Sequence, residues 1–562
     1  MELTVDSISC RSEISQTTDL NPSACQVQRD LTLCGDAMKR NLAALAVILF
    51  VTLAVRLPCL NTPFERDEGE YAYIAWRLEH DELPYRNWVD QKPPGIFWVY
   101  RIALSLPVEP IRAVHLIGLL SAAASACALF FLARRFTEDV WATGAAALFA
   151  LLLADPMING TAANTELFML LPLILSQLAF FPSAAAARHR AYWMIACGVL
   201  TGLAIAFKQV AAINWLFLVA MYPLFIPREK RWPRTLVFAG WSAAGAAIVW
   251  GVIALYFFLK GALGDLVYNV FTHNLEYVRA IPGAMRWNFC LETLSRLSPT
   301  QAIIWIMSAA GLVALFRKGR RKSLIFWSGW MLTSIIAVSA SGYFFPHYFQ
   351  QALPALALTA VLGAEWFCSL RSWSAWPAWS RTALFGLLLF LLPVIRIWPF
   401  LFRYTPAEAV RKIYPNNYFA EMPELAARLR AATGPDDRIF IFGAEPELLF
   451  YAQRISATRY IFLMPLYGPY ADALKKQGEA VDEITLSRPT AAGYLPNSLF
   501  NMPGSEQYFT RWTLGYLKKD FRIDTYLVVG LSGALRFLPA VGDQQPTLLA
   551  GEGVFGAMFL RK

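Results

Sequence analysis

A chain of 562 residues that is 57% hydrophobic and 14% aromatic, with a mean hydropathy of +0.41, is too apolar to be a soluble globular protein of this length. Its net charge of +10 sits in short segments between apolar runs. That distribution reads as a membrane-topology signal rather than as evidence for a nucleic-acid partner.

Residues 1–37 are polar, carry Cys10, Cys25 and Cys34, and lack the basic start and cleavage site of a secretory signal; they read as a disordered cytoplasmic tail. Met38-Lys39-Arg40, followed at once by an apolar run, has the form of a translation start, and the intact mass of the native protein would show whether the tail precedes it. Apolar runs then begin near Asn41, Ile111, Trp141, Leu167, Tyr192, Ala211, Leu236, Ala302, Leu324, Gln351 and Thr382. They predict about 11 transmembrane helices in a segment spanning 38–402, each crossing about 30 Å of hydrocarbon.

Basic residues fall at every second loop: Lys39-Arg40, Arg134-Arg135, Arg188-His189-Arg190, Arg228 to Arg234 and Arg317 to Lys322. These loops are expected to be cytoplasmic, because short cytoplasmic loops retain Lys and Arg. Asn61 to Gly95, Asp155 to Glu166, Lys260 to Thr300 and Ser341 to Pro346 then face outward. Cys127, Cys197 and Cys368 lie in or beside apolar runs, Cys59 at a run's end and Cys290 in an outer loop, so neither a disulfide framework nor a CxxC metal site is visible.

After Phe402 the apolar runs stop, and 403–562 reads as a separate soluble α/β domain outside the cytoplasm. Glu424 to Ala432 has a helical pattern, Arg438 to Gly443 and Tyr526 to Gly530 read as strands, and a helix over Arg511 to Asp520 precedes the second. No GxGxxG, Walker motif or internal repeat is present.

The first outer loop carries the densest chemistry. Apolar or aromatic residues at Tyr71, Ile74, Ala75 and Leu78, with Glu70, Arg77 and Asp81 on other faces, predict an interfacial amphipathic helix. Asp67 and Glu68 stand at its N-terminal end, where the helix dipole favours a carboxylate; they read as caps, as catalytic acids, or as both. Lys92 precedes Pro93-Pro94, which stiffen the backbone, and an apolar run that pins the segment at the membrane surface. It reads either as a phosphate partner or as an interface lysine.

Asp67 to Ala72 (Asp-Glu-x-x-Tyr-Ala) followed by Lys92 to Gly95 (Lys-Pro-Pro-Gly) resembles the first outer loop of the C-type membrane glycosyltransferases (the GT-C fold). The groups it is most similar to are the protein O-mannosyltransferase superfamily, the aminoarabinose transferases acting on lipid A, and bacterial relatives that include rhizobial galacturonosyltransferases. The resemblance continues at Asn164 to Phe168, with Glu166 as the family's second acidic residue, and at the Pro346-His347-Tyr348 run before a late helix. It implies an α-helical polytopic membrane enzyme of the inner membrane, with an outward-facing active site and a polyprenyl-phosphate sugar as donor. The sugar would pass with inversion to a lipid, glycan or protein acceptor.

On that resemblance Asp67 is the base and Lys92 neutralises the departing lipid phosphate, with Glu68 and Glu166 secondary catalytic candidates and Tyr71 part of the substrate-binding motif. The aminoarabinose branch commonly has Arg where this chain has Glu70, so that branch's donor and acceptor do not carry over. His273 and His347 are further candidates for phosphate or a metal, and Tyr348 and Lys208 for substrate phosphate, each with an ordinary interface reading beside it; Arg279 is a lesser one. No cofactor is required by these residues, although the acidic ones permit a divalent cation. A transporter or flippase of a lipid-linked or anionic substrate is the competing reading, and a non-catalytic scaffold with an exported binding domain is a third. Charges gathered in outer loops and the lack of repeated halves favour the enzyme.

Overall fold

The computed structural model describes residues 22–185, 189–279, 281–370, 376–468, 470–496, 506–531, 533–541 and 546–562, with the side chains of 22–37 left out of that description. Arg188 and the first 21 residues of the expected tail, Cys10 among them, therefore lie outside the described residues, as do the side chains of Cys25 and Cys34. Residues 22–37, expected to be irregular, are helical and run on into the first span as α1 (Pro22–Arg56).

The loop that follows, expected to face outward, holds α2 (Arg66–Arg77) and α3 (Gly95–Leu104). Then come α4 (Pro110–Ala133), α5 (Asp139–Leu153), α6 (Thr165–Ala184), α7 (Arg190–Ile205), α8 (Ala212–Phe225) and α9 (Arg231–Leu259). Short α10 (Leu263–Val267) and α11 (His273–Arg279) precede α12 (Gly283–Arg317), α13 (Arg321–Ser339), α14 (Leu353–Ser369) and α15 (Ala378–Phe402).

Among the described residues, 8 helices are long and apolar enough to cross a membrane: Met38–Cys59, Pro110–Ala133, Thr165–Ala184, Arg228–Leu259, Gly283–Arg317, Arg321–Ser339, Pro346–Ser369 and Ala378–Phe402. The other three expected runs form shorter apolar helices, Asp139–Leu153, Arg190–Ile205 and Gln209–Phe225. Asp155-Pro156 stops the first of these and the Lys208-Gln209 break separates the other two. At 1.5 Å per residue, helices of this length reach roughly 22–26 Å, short of the hydrocarbon thickness.

Small residues let the spans approach closely. A Cβ built on Gly311 of α12 would lie 1.9 Å from the Thr359 carbonyl of α14, so these two backbones touch. Ser308 and Thr359 share a buried hydrogen bond of 2.6 Å across the same contact, which satisfies both hydroxyls away from water.

Beyond Phe402 the chain forms α16 (Pro406–Ile413), α17 (Met422–Ala432), α18 (Pro446–Ala452), α19 (Ala473–Ser487) and α20 (Tyr508–Asp520) around one sheet. Its strands are β1 (Arg438–Phe442), β2 (Ile455–Ser456), β3 (Ala491–Tyr494), β4 (Phe521–Val529), β5 (Leu535–Pro539) and β6 (Gly553–Arg561), in the order β2-β1-β3-β6-β4-β5. β1 runs parallel to β2 and β3, whereas β6 is antiparallel to both β3 and β4.

This α/β part meets the bundle at the loops expected to face outward. Tyr451 accepts from the Phe64 N–H at 2.8 Å, the Tyr73 hydroxyl accepts from Ser456 N–H at 2.9 Å, and Val89 N–H donates to the Arg459 carbonyl at 3.0 Å. The helix expected to lie half-exposed at the interface is consequently buried along most of its length. α18 lies across it at Gly69, where a Cβ would fall 2.3 Å from Glu447 Cβ, so glycine is what allows the two helices to cross.

Candidate active site

α2 begins with a reciprocal cap. Glu68 N–H donates to Glu65 Oε1, and Glu65 N–H donates to Glu68 Oε2, both at 3.3 Å. Glu65, not Asp67, is therefore the N-cap, and Asp67 in the first turn has its carboxylate released for other work. The second oxygen of Glu68 accepts from the Ala163 N–H at 2.7 Å and meets His115 Nε2 at 2.9 Å. Glu68 is thus a buried tie between α2, α4 and the 155–164 turn, which turns it away from the cavity wall on which Asp67 stands.

Lys92 is fixed from both sides of its own backbone. Its N–H donates to Asp90 Oδ1 at 2.9 Å, and its carbonyl accepts from the Tyr85 hydroxyl at 2.7 Å. Two prolines later, Gly95 N–H donates to the Ala206 carbonyl at the end of α7. Gln209 and Asn274 both donate to the Gln91 carbonyl, at 3.0 and 2.7 Å, and pin the residue just before Lys92.

The Lys92 ammonium lies among three carboxylates: it donates to Glu70 Oε2 at 2.7 Å and Asp67 Oδ1 at 3.2 Å, with Asp90 Oδ1 at 3.8 Å. It also sits 5.0 Å from the centre of the Tyr71 ring, whose face is attractive to a cation.

Asp67, Tyr71 and Lys92 line a cavity of ≈ 310 Å³ together with Lys208, His347 and Tyr348. Lys208 follows α7 and is paired to Glu166 at the start of α6, with its Nζ 3.5 Å from the centre of the Tyr348 ring. Glu166 is buried behind Lys208 and also accepts from the Thr165 hydroxyl at 2.9 Å. His347 stands edge-on to Tyr348, and its buried Nδ1 has no hydrogen-bond partner. Val210, Val270, Leu275, Val278 and Ala337 make much of the remaining wall. One region of the cavity is therefore ionic and another is hydrocarbon-like, which suits an amphiphilic ligand.

Electrostatics separates the carboxylates. Burial pushes Asp67 up, but the Lys92 ammonium, with help from the nearby His347 and Arg66, outweighs it and leaves the carboxyl below its ordinary value. Burial and the Asp90 charge instead raise Glu70 to about 8, against the opposing pull of Lys92. Asp90 is also raised, chiefly by burial. Lys92 would be pushed down by burial, but Asp67, Asp90 and Glu70 carry it well above the usual lysine range, so it is charged at every ordinary pH.

His273 stands apart from these cavity-lining residues. It borders a smaller space with Glu70, Asp90, Lys92, Tyr277 and Tyr470, and its Nδ1 lies 3.4 Å from Lys476 Nζ. Burial, followed by the Lys476 charge, lowers it to about 4. Arg279 is exposed at the end of α11 and borders neither space. Sequence reasoning missed Glu70 and Asp90 as part of the cluster. Their signal was two further acidic residues in the motif-bearing loop, placed around the same lysine. Among the described residues, no three His, Cys, Asp or Glu side chains are arranged to hold a metal ion, and the position between Asp67, Glu70 and Asp90 is filled by Lys92.

With this geometry in view, the comparisons fall on one class. Residues 91–255 match the family described as dolichyl-phosphate-mannose-protein mannosyltransferase. The structure is similar to ArnT from Cupriavidus metallidurans bound to undecaprenyl phosphate, at 17% identity and a TM-score of 0.57, covering 86% of this chain and 95% of that one. The same protein in the apo state gives 16% identity and a TM-score of 0.55, covering 94% and 98% of the two chains. The archaeal oligosaccharyltransferase AglB from Archaeoglobus fulgidus, in complex with an inhibitory peptide and a dolichol-phosphate, gives 13% and 0.50, covering 92% and 75%. No curated protein matches the sequence. The chain has the GT-C fold, and its resemblance to the C-type membrane glycosyltransferase superfamily is borne out.

Proposed function

We propose that this protein is an inverting membrane glycosyltransferase that moves a sugar from a polyprenyl-phosphate donor to an acceptor outside the cytoplasm. The observation that carries the reading is the shared wall: Asp67 and Lys92 border one cavity that also holds the Lys208 ammonium and whose wall surface is mostly apolar. An isoprenoid phosphate has the matching polarity, with an anionic head and a hydrocarbon tail.

The acceptor's hydroxyl oxygen bonds to the anomeric carbon as the bond from that carbon to the phosphate oxygen breaks, and the electron pair leaves with the lipid phosphate. Asp67, held ionised, takes the hydroxyl proton, while Lys92 and Lys208 face the charge that grows on the leaving phosphate. Glu166 holds Lys208, and His347 and Tyr348 offer polar atoms at the same head-group end. Glu68 acts through structure by seating α2. The acceptor is a lipid, glycan or protein, and the α/β part beyond 403 covers the site from the outer side of an inner membrane.

Transfer of radiolabelled sugar in proteoliposomes tests this against the transporter reading. An enzyme moves label covalently from polyprenyl phosphate to an acceptor. A transporter moves the labelled lipid across the bilayer and leaves the glycosidic bond intact.

A further inference from the structure

We propose that Glu70 is a positioning residue for Lys92, and that the Asp67, Glu70, Asp90 and Lys92 cluster takes up one proton, at Glu70, when an anionic lipid phosphate enters the cavity. This rests on the reading of that cavity as a lipid-phosphate site.

Lys92 forms part of the partition between two spaces. On one side is the cavity that holds Asp67 and Lys208; on the other is the small space bordered by Glu70, Asp90, His273, Tyr277 and Tyr470. Glu70 is 1% exposed and makes the shortest contact with the ammonium, 2.7 Å, from the side away from the cavity. It therefore decides where the Lys92 head sits without itself reaching substrate.

Charge balance supplies the proton step. With Glu70 ionised, one ammonium faces three carboxylates, and the second oxygen of Asp90 is buried with no partner. A phosphate on the open side of Lys92 adds a fourth anion to a poorly solvated cluster, which favours protonating the most weakly acidic member.

The neighbours leave few alternatives. On α2 the facing groups are Asp67 and Tyr71, and the 90–92 loop contributes Asp90 and Lys92. His273 is held neutral, and Tyr277 and Tyr470 are pushed above the ordinary phenol range by burial. Lys476, beyond His273, is paired to Asp472 at 3.0 Å. Glu70, already raised to about 8, is the group poised to change charge near neutral pH.

The sign follows from linkage. Below about pH 8 Glu70 already carries most of its proton and binding is nearly insensitive to pH. Above it the proton must be taken from solvent, and affinity falls by up to about tenfold per pH unit, the limit for one linked proton. The lipid phosphate's own titration, near pH ~6, lies below this window.

Calorimetric binding of undecaprenyl phosphate to the full chain in nanodiscs, at pH 7 and pH 9 in two buffers of different ionisation heat, reads the proton directly. The expected result is an uptake approaching one proton at pH 9, little at pH 7, and in Glu70→Gln an affinity that no longer depends on pH with no uptake. Glu70→Asp, which keeps the carboxyl but draws it back from Lys92, should retain uptake, and the wild-type measurement stands without either variant. Binding at pH 9 without proton uptake, or unchanged uptake in Glu70→Gln, overturns the inference alone. Absence of binding at every pH overturns the lipid-phosphate reading and the inference with it.

Discussion

Asp67 and Lys92, separated by 25 residues and carried on a helix and a proline-stiffened loop, meet at 3.2 Å on the wall of one cavity. The contact keeps a half-buried carboxylate ionised and a lysine charged, and neither state would be secure without the other.

Removing Lys92 should therefore do more than remove a phosphate ligand. Lys92→Ala leaves Asp67, Glu70 and Asp90 without the cation they share, so Asp67 protonates more readily and transfer falls on both counts, by about 10²-fold or more. Lys92→Arg keeps the charge in a different shape and should retain partial activity. Steady-state kinetics with donor affinity checks this; parental values in Lys92→Ala would mean the lysine only anchors the interface.

Glu68 should separate from Asp67 in the opposite direction. Glu68→Gln disturbs the reciprocal cap and the His115 contact, so it should lower thermal stability by roughly 1–3 kcal/mol, the cost of disturbing buried hydrogen bonds. Molecules that remain folded should transfer sugar at close to the parental rate. Thermal unfolding and turnover measured on the same preparation decide between a structural and a chemical role.

The crossing of α18 over α2 should loosen as pH rises. Burial raises Glu447 well above its ordinary value and Glu445 to about 7; Glu445 and then Glu65 add like charge at Glu447, against the opposing pull of Arg66. Groups whose folded values are raised hold protons that the unfolded chain releases, so stability falls from about pH 4.3, the ordinary Glu value, up through pH 7 and beyond. Melting temperature measured from pH 5 to 8 should decline in the parent and decline less in Glu447→Gln, which has no charge to bury. Equal slopes would show that the crossing does not report on Glu447.

Much of this was legible because the signals were local. Apolar runs marked the helices, and Asp67 to Ala72 with Lys92 to Gly95 marked the loop that carries the site. What escaped depended on distant partners. α2 looks interfacial in isolation, because its cover, α18, lies almost four hundred residues away. Glu68 stands beside Asp67 in sequence, yet one helical step turns it to His115 and Ala163. β3 was missed because Ala491 to Tyr494 is mostly Ala and Gly, and its pairing rather than its propensity makes it a strand.

Orientation is testable apart from chemistry. Reporter fusions in the Asn61 to Gly95 loop and after Arg403 should behave as extracytoplasmic, as the alternation of basic loops requires. A cytoplasmic signal after Arg403 would reverse the sidedness of the whole site.

The most direct test is turnover of Asp67→Asn at saturating donor and acceptor. Glu65 and Glu68 already cap α2, so asparagine at 67 leaves the helix start intact, and the variant should express, fold and bind polyprenyl-phosphate sugar. An amide cannot take the acceptor proton, and loss of a general base typically costs about 10² to 10⁴ in rate. The account predicts a folded, donor-binding protein that transfers almost no sugar; near-parental turnover would contradict it and move the search for the base to Glu166.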